Sequence, residues 1–527
     1  MPAIARGRAT AAALALIGVT SLLHVWYAGA VPLAPREAYA WEAARHLDLS
    51  YLDHPPLLAW TIRATTAFGA SERTVRLAAT LHAALAAWFF FLTARRLLGG
   101  RAAVIALLAA LATPLFALGQ AAATPDAPLL AGWCAALYFT LRALDGDGRW
   151  LLAAGAATGW AALGQYTGWL LAPQILAVLA LDRRGRRHLR TPWPWLGLVL
   201  ALALFSPVLV WNAHRGGASV AYHAAGQAAA LGPPSLDRVM RFLVGQALLA
   251  TPVLGSVLWV AAAAAAVRAR EPVLRFCAIF AVPALGISLA LSPFVAVGAS
   301  WPAPGYAGAL LAAAAFLAEA PRGRRAIAGI AVVSGLAATT WLHLAPLFPE
   351  LSFPSRELAT AGWRELAARV DAERRKLPGD PFVLGCGADV ASALAFYLPG
   401  QPTTISSSAM GESAVQYGEW SPAAALAGRE GIVVLDRRDR SRCTRRADFC
   451  APLERLRPLT VRRKGQPVTT FDLWRCRWRA PGSAPGDRTP RSGRRPAAAG
   501  TRRSCRGGRA RSRSERGRRG RAPAGSR

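Results

Sequence analysis

Lysine is nearly missing: Lys376 and Lys464 are the only two in a chain of 527 residues. Methionine occurs three times, and Asp and Glu together 29 times. Charged residues make up 17%, where an ordinary soluble domain carries about a quarter. With 54% hydrophobic residues, that shortage excludes a string of soluble domains. No Cys-x-x-Cys spacing occurs, and seven cysteines are too few for a dense disulfide scaffold and wrongly spaced for a zinc site. No repeat of fixed period is present, which excludes a solenoid.

What is abundant is apolar length and arginine. Nearly all the apolar residues lie before about residue 348, in runs suited to a bilayer, where a span needs about 20 residues. The segments 9–29, 75–97, 102–120, 127–144, 150–164, 167–181, 195–212, 239–267, 272–292, 301–319 and 326–346 give about eleven candidate spans. The net charge of +33 could imply nucleic acid. Its distribution argues otherwise, because the basic residues sit in short loops between apolar runs. Arg95–Arg96 with Arg101, Arg142 with Arg149, Arg183–Arg190, Arg268–Arg275 and Arg322–Arg325 form one set of loops; Gln120–Pro128, Gly164–Gly168 and Pro293–Ser300 form another with no Lys or Arg. The positive-inside rule puts the first set, and Arg6 and Arg8, in the cytoplasm. A multi-pass protein of a bacterial inner membrane is expected, with a cytoplasmic N-terminus. No specific nucleic-acid partner is expected. The Arg and Ala excess reads as the codon bias of a GC-rich genome.

Three regions follow: a transmembrane domain, 1–346; an extracytoplasmic α/β domain, 347–479; and a disordered Arg-rich tail, 480–527, with fifteen Arg against Asp487 and Glu515. In the second region, helices are predicted at Trp363–Lys376 and Val390–Leu398, and strands at Pro381–Gly385, Thr403–Ser406, Gly431–Asp436 and Val468–Trp474. Its Cys386, Cys443, Cys450 and Cys476 face an oxidising compartment. The short turn between Cys443 and Cys450 favours their pairing, leaving Cys386 with Cys476. Cys134 and Cys277, inside apolar runs, read as buried thiols.

The polar residues of the apolar part gather on the side opposite the Arg-rich loops. They are Arg36, Glu37, Tyr39, Asp53 and His54 of the first loop, Arg76 at the start of the second span, Asp126 between Pro125 and Pro128, and Gln165 with Tyr166. Carboxylates at a membrane face are costly unless paired or functional. The plain reading is that Glu37 and Asp126 cap helices or pair with Arg36 and Arg76. The functional reading is a site.

The run Glu37-Ala-Tyr-Ala-Trp, then His-Leu-Asp-Leu-Ser-Tyr-Leu-Asp53-His54-Pro-Pro-Leu, resembles the first loop of glycosyltransferase family 39. That group includes the protein O-mannosyltransferases and the lipid A aminoarabinose transferases. Thr-Pro-Asp126-Ala-Pro, Gln165-Tyr-Thr-Gly, Phe205-Ser-Pro-Val-Leu-Val-Trp-Asn212 and Trp301-Pro-Ala-Pro-Gly-Tyr306 are similar to further blocks of its bacterial branch, in order over residues 10–345. The resemblance implies the polytopic glycosyltransferase fold and a polyprenyl-phosphate-linked sugar donor. It also implies a lipid, glycan or protein acceptor, and transfer outside the cytoplasm with inversion. No cofactor and no metal site are implied, and a divalent metal is left open.

Three positions depart from the family pattern: Arg36 stands where the first acid of an Asp-Glu pair is usual, Gln165 where Lys is usual, and Ser300 where Asn is usual. The expectation is then that Glu37 is the catalytic base, with Asp126 orienting the acceptor or its sugar. Arg36, Tyr39, Asp53, His54, Arg76, Gln165, Tyr166 and Trp301 are expected to bind substrate, with His54 and Arg76 at the phosphate. A non-catalytic member that binds a polyprenyl-linked substrate is the alternative. A transporter is third, because it would want charges deep at mid-membrane.

Overall fold

The computed structural model describes residues 3–318, 320–348, 360–420, 426–438, 443–444, 446–463 and 466–479. All of them belong to one unit, Met1–Ser483. The tail expected to be disordered lies outside the described residues.

Up to Leu344 the chain is helical. It begins with α1 (Ala3–Ala30), the short α2 (Pro35–Arg45) and α3 (Leu57–Thr65), and the long α4 (Glu72–Leu98). Then come α5 (Gly100–Ala112), α6 (Pro114–Ala121), α7 (Asp126–Leu144), α8 (Trp150–Gly164) and α9 (Leu171–Leu181). The rest of the bundle is α10 (Trp193–His214), α11 (Ala218–Ala230), α12 (Leu236–Ala250), α13 (Pro252–Val267), α14 (Pro272–Leu291), α15 (Ala303–Ala318) and α16 (Arg322–Leu344).

By length and composition α1, α4, α7, α10, α14 and α16 can each cross a membrane. Two bent pairs, α5–α6 at 68° and α12–α13 at 106°, raise the number to eight. Pro114 and Pro252 restart the helix after each bend, since proline lacks the N–H that a continuous helix would need. The three remaining apolar segments are α8, α9 with the 3-10 turn before it, and α15. All eleven segments are thus helical, but three are too short to count as spans by length.

Burial separates the helices. The described parts of α1 and α16 face largely outward, whereas α7 and α15 are buried nearly throughout. Small residues permit this packing. A Cβ on Gly155 of α8 would lie 2.0 Å from the carbonyl oxygen of Gly197 on α10, so only glycine lets these backbones meet. The Arg-rich loops lie at one end of the bundle. There Arg95 donates to Thr10 Oγ1 at 2.8 Å, Arg96 pairs with Asp145, and Arg275 lies 3.5 Å from Asp182. Asp126, Gln165 and Ser300 lie at the opposite ends of the helices.

The C-terminal region carries α17 (Trp363–Arg374), β1 (Phe382–Gly385), α18 (Ala388–Tyr397), β2 (Ile405–Ser406), α19 (Tyr417–Trp420) and β3 (Glu430–Asp436). It ends with α20 (Arg446–Phe449), β4 (Cys450–Arg455), β5 (Leu459–Arg463) and β6 (Gln466–Trp478). The sheet order is β2-β1-β3-β6-β4, with β5 also pairing with β6. β1 runs parallel to β2 and β3, and β6 antiparallel to β3, β4 and β5. The parallel neighbours β1 and β2 require the crossover that α18 supplies. The two helices and four strands predicted here are present within a few residues of their expected bounds. β4 and β5 were not foreseen.

The disulfide expectation is corrected. Cys386 bonds Cys443, with Cα atoms 5.5 Å apart, and Cys450 bonds Cys476, at 5.2 Å. Cys443 and Cys450 do not pair. β4 lies antiparallel to β6, with Leu453 opposite Cys476 and Cys450 opposite Trp478 across an irregularity, which carries Cys450 to Cys476. Glu412 accepts from the backbone N–H of Cys443 at 2.9 Å and Thr444 at 3.3 Å, holding Cys443 on the β1 side. Cys134 and Cys277 are free and buried.

Candidate active site

The site starts from a clamp beneath it. Glu37 sits at the third position of α2, and its Oε2 accepts from the N–H of Ala34 at 2.8 Å, capping that helix. Arg76, in the first turns of α4, donates Nε to Glu37 Oε1 at 2.8 Å and Nη2 to Oε2 at 2.6 Å. Its other N–H groups reach the carbonyls of Ala28 at 2.9 Å, Val31 at 2.6 Å and Pro32 at 2.9 Å. Ala123 N–H completes the carboxylate at 3.0 Å. Both side chains are 4% exposed. A guanidinium has five donors and a carboxylate about four acceptor sites, and all are used.

The expected roles of Glu37 and Arg76 are therefore revised. Glu37 has no oxygen left to take a substrate proton, and Arg76 has no donor left for a phosphate. Together they tie α1, α2, α4 and the loop before α7. Arg36, the residue before Glu37 in α2, is exposed and makes no ion pair among the described residues.

Over this clamp lies the loop between α2 and α3. Tyr51 donates its hydroxyl to the carbonyls of Ala43 at 2.8 Å and His46 at 3.1 Å, and its N–H bonds the His54 carbonyl at 3.2 Å. Asp48 accepts from Trp211 Nε1 of α10 at 2.8 Å, and Ser219 of α11 donates to the Tyr51 carbonyl at 3.0 Å. Gln416, just before α19, is buried and accepts from the N–H of Leu52 at 2.7 Å. Trp420 of α19 stacks on His46, with ring centres 5.0 Å apart. Arg215, following α10, joins Glu419 and Asp48. The C-terminal region thus fixes the same loop that the helices fix.

That loop presents Asp53 and His54. Tyr39 donates to Asp53 Oδ1 at 3.0 Å, and His54 Nε2 lies 3.7 Å from Oδ2. Burial, then the neighbouring Asp53 carboxylate, pushes the Tyr39 phenol well above its ordinary range, so it remains a neutral donor. The His54 side chain is 44% exposed, which leaves it open to a ligand.

Asp126 opens α7 and lies among Ser300, Gln165 and His54. Gln165 caps the end of α8 in an extended conformation, and Ser300 precedes α15. Tyr166 packs edge-on against His223 of α11 at 5.2 Å and faces Ser50 and Ser219. His223 also feels His54 and Asp53, and its pKa is lowered by burial first and by His54 second. Trp301 is exposed at the end of the same loop as Ser300.

The structure brings together Tyr39, Asp53, His54, Asp126, Gln165 and Tyr166 and leaves Glu37 and Arg76 in a buried pair of their own. It adds Ser50, Ser219, His223, Ser300 and Gln416, which the sequence reading did not propose as site residues. Among the described residues no three His, Cys, Asp or Glu side chains gather as a metal site would need.

Residues 53–211 match the model of the dolichyl-phosphate-mannose-protein mannosyltransferase family. The chain also superposes on ArnT from Cupriavidus metallidurans in its apo state, with a TM-score of 0.61 and 18% identity over 88% of this chain and 97% of that one. On the ArnT structure bound to undecaprenyl phosphate the TM-score is 0.60, with 17% identity over 87% and 97%. Over residues 53–211 the chain is similar to this mannosyltransferase family. It has the polytopic membrane fold of the ArnT structures, with a small sheet region near the C-terminus. No curated protein sequence matches it. The matched segment opens at Asp53 and closes at Trp211, so it includes His54, Asp126 and Gln165 and leaves out Arg36 and Glu37.

Proposed function

We propose that this family 39-like chain is a membrane glycosyltransferase that takes a sugar from a polyprenyl-phosphate carrier and gives it to an envelope lipid, glycan or protein acceptor outside the cytoplasm. The observation that carries this is the convergence of Asp53, His54, Asp126, Gln165 and Ser300 from separate loops onto one end of the bundle. The fold agrees with it, since ArnT is described with undecaprenyl phosphate bound.

In this reading Asp53 replaces Glu37 as the base. Tyr39 holds Oδ1, and Oδ2 faces the half-exposed His54 at 3.7 Å. The acceptor hydroxyl attacks the anomeric carbon, its proton passes to Asp53, and the bond from that carbon to the phosphate oxygen breaks. The electron pair leaves with the polyprenyl phosphate, and the sugar centre inverts. His54, when protonated, and the exposed Arg36 offset charge on the departing phosphate. Asp126, with Gln165 and Ser300, orients the acceptor or its sugar, and Tyr166 and Trp301 provide ring surfaces beside it.

The test is sugar transfer by purified protein from polyprenyl-phosphate sugars. Asp53→Asn should lower turnover by about two to four orders of magnitude, and Asp126→Asn should mainly raise KM. Full activity of Asp53→Asn places the base elsewhere.

Arg36 favours a second reading, because it stands where the resemblance expects an acid. An inactive wild type that gains activity on Arg36→Asp identifies a non-catalytic binder of polyprenyl-linked substrates. The proposed placement is the bacterial inner membrane, with the N-terminus inside and the α/β domain outside. The proposed regions are 1–346, 347–479 and a tail from 480. A periplasm-dependent reporter fused after Arg479 should be active, and one fused near Arg187 silent.

A further inference from the structure

The end of the bundle away from Asp53 holds a cleft of about 750 Å³ between α9, α13 and α14, within the roughly 300–1,000 Å³ of small-molecule sites. Arg270 and Arg275 line it at the 268–275 loop, and no carboxylate does. Arg275 is tied to the Ala269 carbonyl at 3.2 Å and lies near Asp182. Arg270 is exposed and makes no ion pair among the described residues, while its neighbour Glu271 is taken by Arg268.

Deeper in, the wall is apolar apart from Gln174. That side chain is 4% exposed, and neither of its amide atoms has a hydrogen-bond partner. An unbonded buried amide is costly. Pro283 also lines it and has no N–H to give the carbonyl of Ile279, another wall residue. From Arg275 to Pro283 the cleft follows α14 for about 12 Å at 1.5 Å per residue. On the α9 side the lining runs from Leu181 to Leu170, about 16 Å, so the cleft reaches from the 268–275 loop about half-way across a hydrocarbon core of about 30 Å.

We infer that this cleft is a binding site for an anionic glycerophospholipid of the leaflet next to the 268–275 loop, which is cytoplasmic in the proposed orientation. Arg270 holds the headgroup phosphate, Gln174 donates to an ester carbonyl, and an acyl chain fills the wall toward Pro283. The polyprenyl carrier does not suit it, because the carrier's phosphate belongs at the Asp53 end. The exclusion of the carrier rests on the proposed function, whereas the phospholipid site itself needs only the helical bundle.

The experiment is native mass spectrometry of the full chain in detergent, titrated with phosphatidylglycerol, phosphatidylethanolamine or undecaprenyl phosphate. Phosphatidylglycerol should be retained about fivefold better than phosphatidylethanolamine, the effect of one arginine near a charged headgroup. Arg270→Ala should remove that preference. Arg324→Ala, exposed at the same end on α16 and outside the cleft, should not. Gln174→Leu should weaken retention of both phospholipids. Equal retention of the two phospholipids overturns the proposal, as do an unchanged preference in Arg270→Ala and an equal loss in Arg324→Ala. Displacement of phosphatidylglycerol by equimolar undecaprenyl phosphate gives the cleft to the carrier and also overturns it. Unfolding temperatures of the lipid-free variants keep a folding defect apart from a binding defect.

Discussion

Arg76 directs two of its guanidinium N–H groups at Glu37 and the rest at the carbonyls of Ala28, Val31 and Pro32. A pair this buried is expensive to break from one side, because the survivor stays charged with no partner. Arg76→Ala or Glu37→Ala should destabilise the protein by about 3–5 kcal/mol. Removing both with Glu37→Leu and Arg76→Leu should cost less than either single change. Thermal unfolding in detergent measures this. A single variant with wild-type stability and lost activity would return Glu37 to a direct chemical role.

The sequence had placed both residues on one face and offered their pairing as the plain reading. What it could not show was that each uses up every bond the other can make. The eleven apolar segments and the face carrying Asp53 and Asp126 were legible, because hydropathy and loop charge are local properties. β4 and β5 were not, because they pair with β6 at the margin of the sheet and β4 exposes most of its side chains, leaving no apolar alternation. Gln416 and His223 were also invisible. Gln416 meets Leu52 across 364 positions, and no spacing rule spans such a distance.

The disulfide pattern has a direct check. Peptide mapping without reduction should recover Cys386 linked to Cys443 and Cys450 linked to Cys476. These close loops of 57 and 26 positions, for which loop entropy gives roughly 3–4 kcal/mol each. Replacing Cys450 with Ser should therefore lower the unfolding temperature of the domain and leave the Cys386–Cys443 peptide intact. Recovery of a peptide linking Cys443 to Cys450 would contradict the strand pairing as well as the bond.

Gln416 links the α/β domain to the loop that presents Asp53. Its Oε1 takes the N–H of Leu52, and its Nε2 bonds Glu419 at 2.6 Å. Gln416→Ala should speed hydrogen exchange over residues 48–56 by about fivefold, the equivalent of one net hydrogen bond of ~1 kcal/mol. Exchange in β3 and β6 should not change. Equal acceleration in the strands would mean that the substitution loosens the domain, with no particular hold on the loop.

The same domain carries an acid-sensitive contact away from the site. Asp472 on β6 accepts from Arg437 at 2.8 and 2.9 Å and from Arg455 at 3.1 Å. The Arg437 bonds are the main reason its carboxyl lies below the usual range, and Arg455 adds to them against the opposing effect of burial. A carboxyl depressed in the folded state contributes its stability above the unfolded value of about 3.9 and loses it as pH falls through the lowered folded value. Asp472→Asn should therefore unfold earlier than wild type at pH 6. Between about pH 4 and pH 2 the two midpoints should converge, since wild type then carries a neutral acid at that position. Both arginines are partly exposed, so added salt should narrow the gap at pH 6 as well. A gap that persists unchanged down to about pH 2 would assign the loss in Asp472→Asn to packing, and the ion pairs would carry none of it.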